Sequence, residues 1–494
     1  MVQVSRRIFM AGSAAMVAAC SAPLRQEKAD VVVIGAGLSG LHTASLLRSA
    51  GMRVILLEAS GRAGGRVQTI DTDEGPLDVG ASQIGRSYAR VIDACRRHNL
   101  NLVPEDRDLL EFGTHFQGEW IESKGWADNP LNKCVGDERQ VPPMLMGRHV
   151  VQKSNPLSHP QEWLDPKFAN FDISLADFMR REGASAQALE LARFSVPGIS
   201  MEQTSLLRMY QETSRAALDL KIDADLEAKA EADAQHPFGE VNVRSQSDGL
   251  ARISNIEGGC SELPKAMAKT LGDDVRFGKT VSRITLSETS GTVECADGSA
   301  YRASFVVSAL PFSILRNVSI EGPASLANQK AIAQMPYANT ARMYLTVDEP
   351  FWEEDGLPAS FSTDGPMGMF WTIDNQRSSG PQRAMIVLVG EAGEAIGKMD
   401  NAQAEAFINA QMKELRPASD GKLRRIAYKD WQADPLQRGC SFSMNAGQIG
   451  AFGREMRKPW GVLHFAGEHM RELDFGMEAA MESAERVAAN ILQA

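Results

Sequence analysis

The sequence predicts an α/β fold spread over two domains, and three observations carry that expectation. The chain has 494 residues, too many for one ordinary core. The uninterrupted β-branched run Val31–Ile34 has the composition of a parallel strand buried on both faces. A glycine triplet then opens an apolar-periodic stretch, and a second buried strand ends on an acid.

The elements follow in order. Gly35, Gly37 and Gly40 spell G-x-G-x-x-G at the mouth of a helix expected from about Leu38 to Ser49. Gly51 ends that helix, and Val54–Leu57 is the second strand. Glu58 closes it, 23 residues after Gly35. The first glycine permits a tight turn, the second lets a pyrophosphate approach the backbone, and the third lets helix and strand pack closely. The helix N-terminus offers N–H groups and partial positive charge to the phosphates. Glu58 can accept hydrogen bonds from ribose hydroxyls. The pattern is a Rossmann-type dinucleotide cradle.

NAD and FAD both use such a cradle, and the next residues separate them. In "GRAGGRV", Arg62 and Arg66 flank a glycine pair directly after Glu58. Two arginines there can cover a pyrophosphate seated on the glycine loop. "LDVGAS" then supplies Asp78 and a second flexible backbone segment. With these motifs the chain resembles the flavin-containing amine oxidase family, which includes monoamine oxidases, polyamine oxidases, L-amino-acid oxidases and bacterial nicotine oxidoreductases. The resemblance continues through "GGCSELPKAMAKTL", "VVSALPFSIL", "ANTARMYLTVDEPFW" and the closing "HFAGEHMRELDFGMEAAMESAERVAANIL".

That resemblance implies an FAD-binding Rossmann-type domain, residues 28–85, 246–315 and 426–494, interleaved with an α+β substrate domain, residues 86–245 and 316–425. It implies FAD contacts at Gly35, Gly37, Ser39, Gly40, Glu58, Ala59, Arg62, Gly65, Arg66, Gly80, Ala81, Val281, Trp431, Gly467, Glu468 and Met477. The charged segment Asp223–Pro237 reads as an exposed helix or loop near a domain boundary.

The active-site positions depart from the family. Monoamine oxidases place two aromatic rings before the flavin; here Ser441 and Gly476 stand at those positions, with Phe475 one residue earlier. A one-residue shift in an extended segment reverses side-chain direction, so neither Phe442 nor Phe475 is assumed to replace a ring. Arg342 stands eight residues before Pro350, where the family usually has a lysine. It keeps the charge but is planar and bidentate, and reads either as a catalytic anchor for a substrate carboxylate or the flavin edge, or as a surface arginine at a strand end. Trp431 occupies the place of a family tryptophan near the flavin, which makes it a second catalytic candidate. Cys440 lies nine residues after Trp431, matching the monoamine oxidase cysteine bonded to the flavin. FAD held without a covalent bond is expected first, with a thioether through Cys440 as the alternative. His464 reads as structural and His469 as near the cofactor. Neither has a partner at metal-ligand spacing, so no metal is expected.

The implied reaction is oxidation of an amine or amino acid to an imine, with oxygen or a periplasmic carrier as electron acceptor. Protoporphyrinogen oxidases and carotene desaturases share the FAD motifs but act on C–C or ring C–H bonds, and remain the enzymatic alternative. A non-catalytic binder on the same scaffold is remote, because the pyrophosphate motif is complete.

The first residues form a separate unit. Arg6 and Arg7 precede a weakly apolar run from Ile8 to Ala19 and then Cys20, the layout of a twin-arginine export signal spanning residues 1–19. "VAAC" resembles a lipobox that would lipidate Cys20. The twin-arginine machinery would carry a folded holoprotein to the periplasm or beyond, with membrane attachment only through that lipid. No apolar run approaches the roughly 20 residues that span a bilayer. The net charge of −11, with acid and base mixed, leaves no footprint for nucleic acid. The remaining cysteines, 95, 134, 260, 295 and 440, follow no disulfide or zinc spacing.

Overall fold

The computed structural model describes residues 26–104, 112–121, 123–195, 200–234, 253–338, 340–365, 367–373, 382–389 and 395–494. Residues 1–19, expected from the sequence to be an export signal, and Cys20 lie outside these residues.

The first sheet grows from the two runs of aliphatic residues near the N-terminus. Strand β1 (Gln26–Ile34) pairs in parallel with β2 (Val54–Leu57) on one side and with Ala300–Ser308 on the other. Val31, Val32 and Val33 have no exposed surface, as a central strand covered on both faces requires. Full burial of each such side chain contributes roughly 1.5–3 kcal/mol. Among the described residues this sheet has eight strands, in the order Val275–Arg276, β2, β1, Ala300–Ser308, Gly291–Cys295, Val281–Leu286, Ser319–Glu321, with Leu463–Phe465 also paired to Ala300–Ser308. Helix α1 (Leu38–Ser49) runs between β1 and β2 and packs on the C-terminal helix Gly476–Leu492. Leu41, Ala44 and Leu47 of one helix share a core with Met477, Met481 and Ala488 of the other.

A second sheet, of seven strands among the described residues, runs Leu423–Asp430, Thr340–Val347, Gln382–Val389, Met369–Thr372, Phe361–Thr363, Gly113–Phe116, Glu119–Ile121. Its core includes Met343, Phe361, Phe370 and Ile386, together with Ile408 and Met412 of the helix Asn401–Leu415. Asp400 caps that helix in a reciprocal box, accepting from the Gln403 N–H at 2.9 Å while the Gln403 amide oxygen accepts from the Asp400 N–H at 3.0 Å. At the other end Arg416 is fully buried, bonded twice to Asp355 at 2.6 Å and flanked by Trp120, Phe351 and Phe361.

Two strands cross the expected domain boundaries. Ser319–Glu321 joins the first sheet beside Val281–Leu286, and all of Leu423–Asp430 belongs to the second. Backbone pairing with distant strands decided both, and no local pattern announces it. The segment expected to be exposed from Asp223 forms the end of the helix Leu206–Ala234, with Asp223 itself buried within 4.0 Å of Arg86; residues 235–237 lie outside the described residues.

Candidate active site

The turn between β1 and α1 starts with chain geometry. Gly40 fits only as glycine: a Cβ there would lie 1.9 Å from the Gly35 carbonyl oxygen. Gly37 is the reverse case, since a Cβ on it would meet nothing within 4 Å and would project into open space. Gly37 caps α1 with no side-chain hydrogen bond, so amides of the first turn remain for a ligand. Glu58 ties the loops together by accepting from the Ala36 N–H at 2.8 Å and from both the N–H and the hydroxyl of Ser60. A carboxylate has about four lone-pair sites, so one is left for a ligand hydroxyl.

This turn forms one end of a cavity of about 570 Å³. Of the residues singled out from the sequence, Gly35, Gly37, Ser39, Glu58, Ala59, Gly65, Arg66, Gly80, Ala81, Val281, Gly467, Glu468 and Met477 line it. Arg342, Trp431, Cys440, Ser441, Phe475 and Gly476 line it as well. The cavity therefore runs unbroken from the glycine turn to the positions where catalysis was expected.

Arg62 is placed differently from the expectation. Its guanidinium donates to the carbonyls of Gly65 at 2.8 Å and Val67 at 3.3 Å, so it braces the loop from behind and does not line the cavity. Gly40 likewise sits behind the turn as a packing position. Arg66 does face the cavity, donating to the Cys440 carbonyl at 2.6 Å.

The far wall contains charges that no motif flagged. Arg208 and Glu212, one turn apart on the helix Leu206–Ala234, both line the cavity, as does Arg471. Glu212 bridges Arg208 at 3.0 Å and Arg471 at 2.8 Å, and Arg471 reaches Glu468 at 3.2 Å. Burial opposes ionisation of Glu212, but the two arginines outweigh it and hold the carboxyl below its ordinary value. With Arg66 beside Glu468 at 3.9 Å, three guanidinium groups share two carboxylates. The site thus carries net positive charge, and Arg342 adds to it. Helical i, i+4 spacing of Arg208 and Glu212 was the one signal available in the sequence, and it is common on solvated helices.

Phe442 turns away, buried between the guanidinium groups of Arg208 and Arg471 at 5.4 and 4.8 Å. His469 is also buried outside the cavity lining, its ring 4.5 Å from that of Phe312. Burial, then Arg66 and Arg457, push its pKa well below the ordinary value, so it is neutral. His464 on the strand Leu463–Phe465 is pushed down to about 4 by burial.

Comparison with known proteins bears on the whole chain. Residues 38–492 match the family model described as flavin containing amine oxidoreductase. The chain belongs to this amine oxidase family. A flavin-dependent L-tryptophan oxidase from Lentzea aerocolonigenes is 25% identical over 92% of this chain and 96% of its own. Human flavin-containing amine oxidase B is 23% identical over 95% and 87%. Among solved structures, putrescine oxidase bound to putrescine superimposes with a TM-score of 0.74, at 21% identity over 95% and 100% of the two chains. Cyclohexylamine oxidase from Brevibacterium oxydans gives 0.73, at 20% identity over 94% and 99%. Both have this fold.

As a member of the family the protein is an FAD-dependent enzyme, and its residues fit that cofactor. The open space at Gly37, the uncapped start of α1 and the spare lone pair of Glu58 match a dinucleotide. Glu468 Oε2 is buried without a hydrogen-bond partner among the described residues, a place for a ligand hydroxyl. Arg208, Arg342 and Arg471 each have a buried Nε with no such partner.

Proposed function

We propose that the enzyme oxidises the C–N bond of an amine or amino acid to an imine, which water hydrolyses to a carbonyl compound and an amine. The observation that carries the reading is the single cavity joining the glycine turn to the wall of Trp431, Phe475, Cys440 and Arg342. FAD, when bound, supplies the two-electron acceptor. The chain's own part is to bind, orient and keep the site dry. Leu310, Pro311, Ile314 and Phe475 give the cavity apolar walls, which favour the neutral amine over the ammonium form and restrict water around the product imine. Trp431 is buried and anchored by its Nε1–H to the Val79 carbonyl at 3.3 Å, a rigid surface for the reacting end. Arg342 donates to the Gly80 carbonyl at 3.0 Å and keeps donors for a substrate carboxylate or the flavin edge. The names of the relatives include an L-tryptophan oxidase and amine oxidases, which supports a substrate class covering both.

Arg342 in place of the lysine usual in the family favours a carrier such as a periplasmic cytochrome over oxygen as acceptor. Cys440 lines the cavity and is half-buried, so a thioether to FAD is the alternative to non-covalent binding; colour retained in an acid-precipitated pellet distinguishes the two. Arg6, Arg7 and the following apolar run support export of the folded holoprotein, with Cys20 as a lipid anchor.

The test is an anaerobic screen of amines, amino acids and polyamines, read as bleaching of the bound flavin. Bleaching by a C–N substrate is expected. Bleaching by a ring or polyene C–H substrate alone would overturn the reading.

A further inference from the structure

Among the described residues lining the cavity, only Trp431 and Phe475 are aromatic. They are held in different ways. Trp431 has its own hydrogen bond and almost no exposed surface. Phe475 is half-buried, caps the C-terminal helix without a side-chain bond, and is followed by Gly476 at φ +61°. A glycine in the left-handed region gives the chain freedom there, so something else must fix the ring.

That restraint is a buried ionic clamp behind it. Asp474 is 3% exposed, and its carboxylate accepts from Arg215 Nε at 2.8 Å and from Arg90 Nη1 at 3.0 Å. Its N–H donates to Glu482 at 2.9 Å. Arg215, itself 3% exposed, also pairs with Asp219 and donates to Ser87 Oγ at 3.3 Å. Its guanidinium carbon lies 5.7 Å over the Phe475 ring, while Tyr88 meets the ring edge-on at 6.2 Å between centroids. Arg215 does not line the cavity, so it can act on a substrate only through Phe475. Burying such charges costs free energy that good geometry recovers only in part, and the return is one fixed arrangement of the segment before Met477.

We propose that Arg215 is a positioning residue that, through Asp474 and the face of the ring, fixes Phe475 as the aromatic wall of the substrate end and so selects substrates with a flat apolar body. This rests on the amine-oxidising reading for its substrate class, and the test is built to separate the two. Aniline and tert-butylamine carry no C–H on the carbon bonded to nitrogen, so neither can be oxidised to an imine and each serves as a probe of binding alone. Each is titrated into holoenzyme and followed by perturbation of the flavin absorption. Arg215→Met and Phe475→Ala should each weaken aniline about tenfold and tert-butylamine less than about threefold. The double variant should be no worse than either single. Arg215→Lys, which keeps the charge but loses the planar fork, should fall between. If Arg215→Met fails to load FAD, Asp474→Asn carries the test with the same expected selectivity. Equal weakening of both probes, additive effects in the double variant, or a wild-type affinity for aniline no better than that of the variants would overturn the proposal. If the aniline selectivity holds while no amine bleaches the flavin, the positioning stands and the amine-oxidising reading falls.

Discussion

The two ends of the cavity are built by different means. The core of the cofactor end is local: Gly35, Gly37, Gly40, Glu58 and Arg66 lie within one strand–helix–strand unit and its following loop, with Val281, Gly467, Glu468 and Met477 added from farther along the chain. Within that unit hydrogen bonds such as Ala36 to Glu58 and Arg62 to Gly65 span 22 positions or fewer, while Arg66 reaches out of it to the Cys440 carbonyl. The substrate end is assembled from a helix near residue 210, a strand at 342, a loop at 431–441 and a segment at 471–477. It is held by charged side chains that reach across more than 250 positions, as Arg471 does to Glu212 and Arg215 to Asp474. Backbone geometry dominates at the first end and side-chain electrostatics at the second, so they should fail differently when altered.

The largest effect is expected at the local end. Gly40→Ala drives a methyl group against the Gly35 carbonyl oxygen, a backbone clash that cannot relax without separating α1 from β1. A loss of more than about 4 kcal/mol is expected, seen as absent flavin absorption and poor soluble yield. Normal FAD content in this variant would break the distinction.

A smaller effect, of another kind, is expected at the assembled end. Glu212→Gln leaves Arg208 and Arg471, both nearly fully buried, without their shared carboxylate. Removing one partner from a fully buried cluster costs roughly 3–5 kcal/mol; the Glu212 side chain is 35% exposed, so the low end, about 3 kcal/mol, is expected, visible as a lower thermal midpoint with FAD content retained. An unchanged midpoint would mean that the arginines find other partners.

The smallest effect depends on pH and sharpens the comparison within the cofactor half. Burial holds His464 at about 4 in the fold against 6.5 as its ordinary value. The folded pKa is depressed, so the unfolded chain takes up a proton while the folded chain does not. Stability is complete above pH 6.5 and is lost as pH falls toward 4, by about 2 kcal/mol at pH 5. His464→Gln should flatten that part of the profile, as read from urea midpoints at pH 7 and pH 5. An unaltered slope would assign the acid sensitivity to other groups.

How far each end was legible follows from the same physics. The bounds of α1 and β2 coincide with the expected ones, because strand composition, the glycine turn and helix periodicity act over a few residues. Arg62 shows the limit even there: spacing put it beside the phosphate site, but the curl of its loop turned the guanidinium onto carbonyls. Ser319–Glu321 gave no sign of which sheet would take it, and Arg208 and Glu212 looked like any surface pair on a helix.

By itself, then, the sequence determined the dinucleotide cradle and, through motifs spread along the chain, the amine oxidase family. Each rests on backbone conformations that particular residues permit or forbid within a short stretch. Only the tertiary structure decided that Phe442 turns into the core while Phe475 faces the cavity, that Arg208, Glu212, Arg471 and Glu468 form one charged wall, and that Arg215 and Asp474 stand behind the ring. Those outcomes depend on which distant side chains meet in a buried space, where the cost of an unpaired charge selects the arrangement.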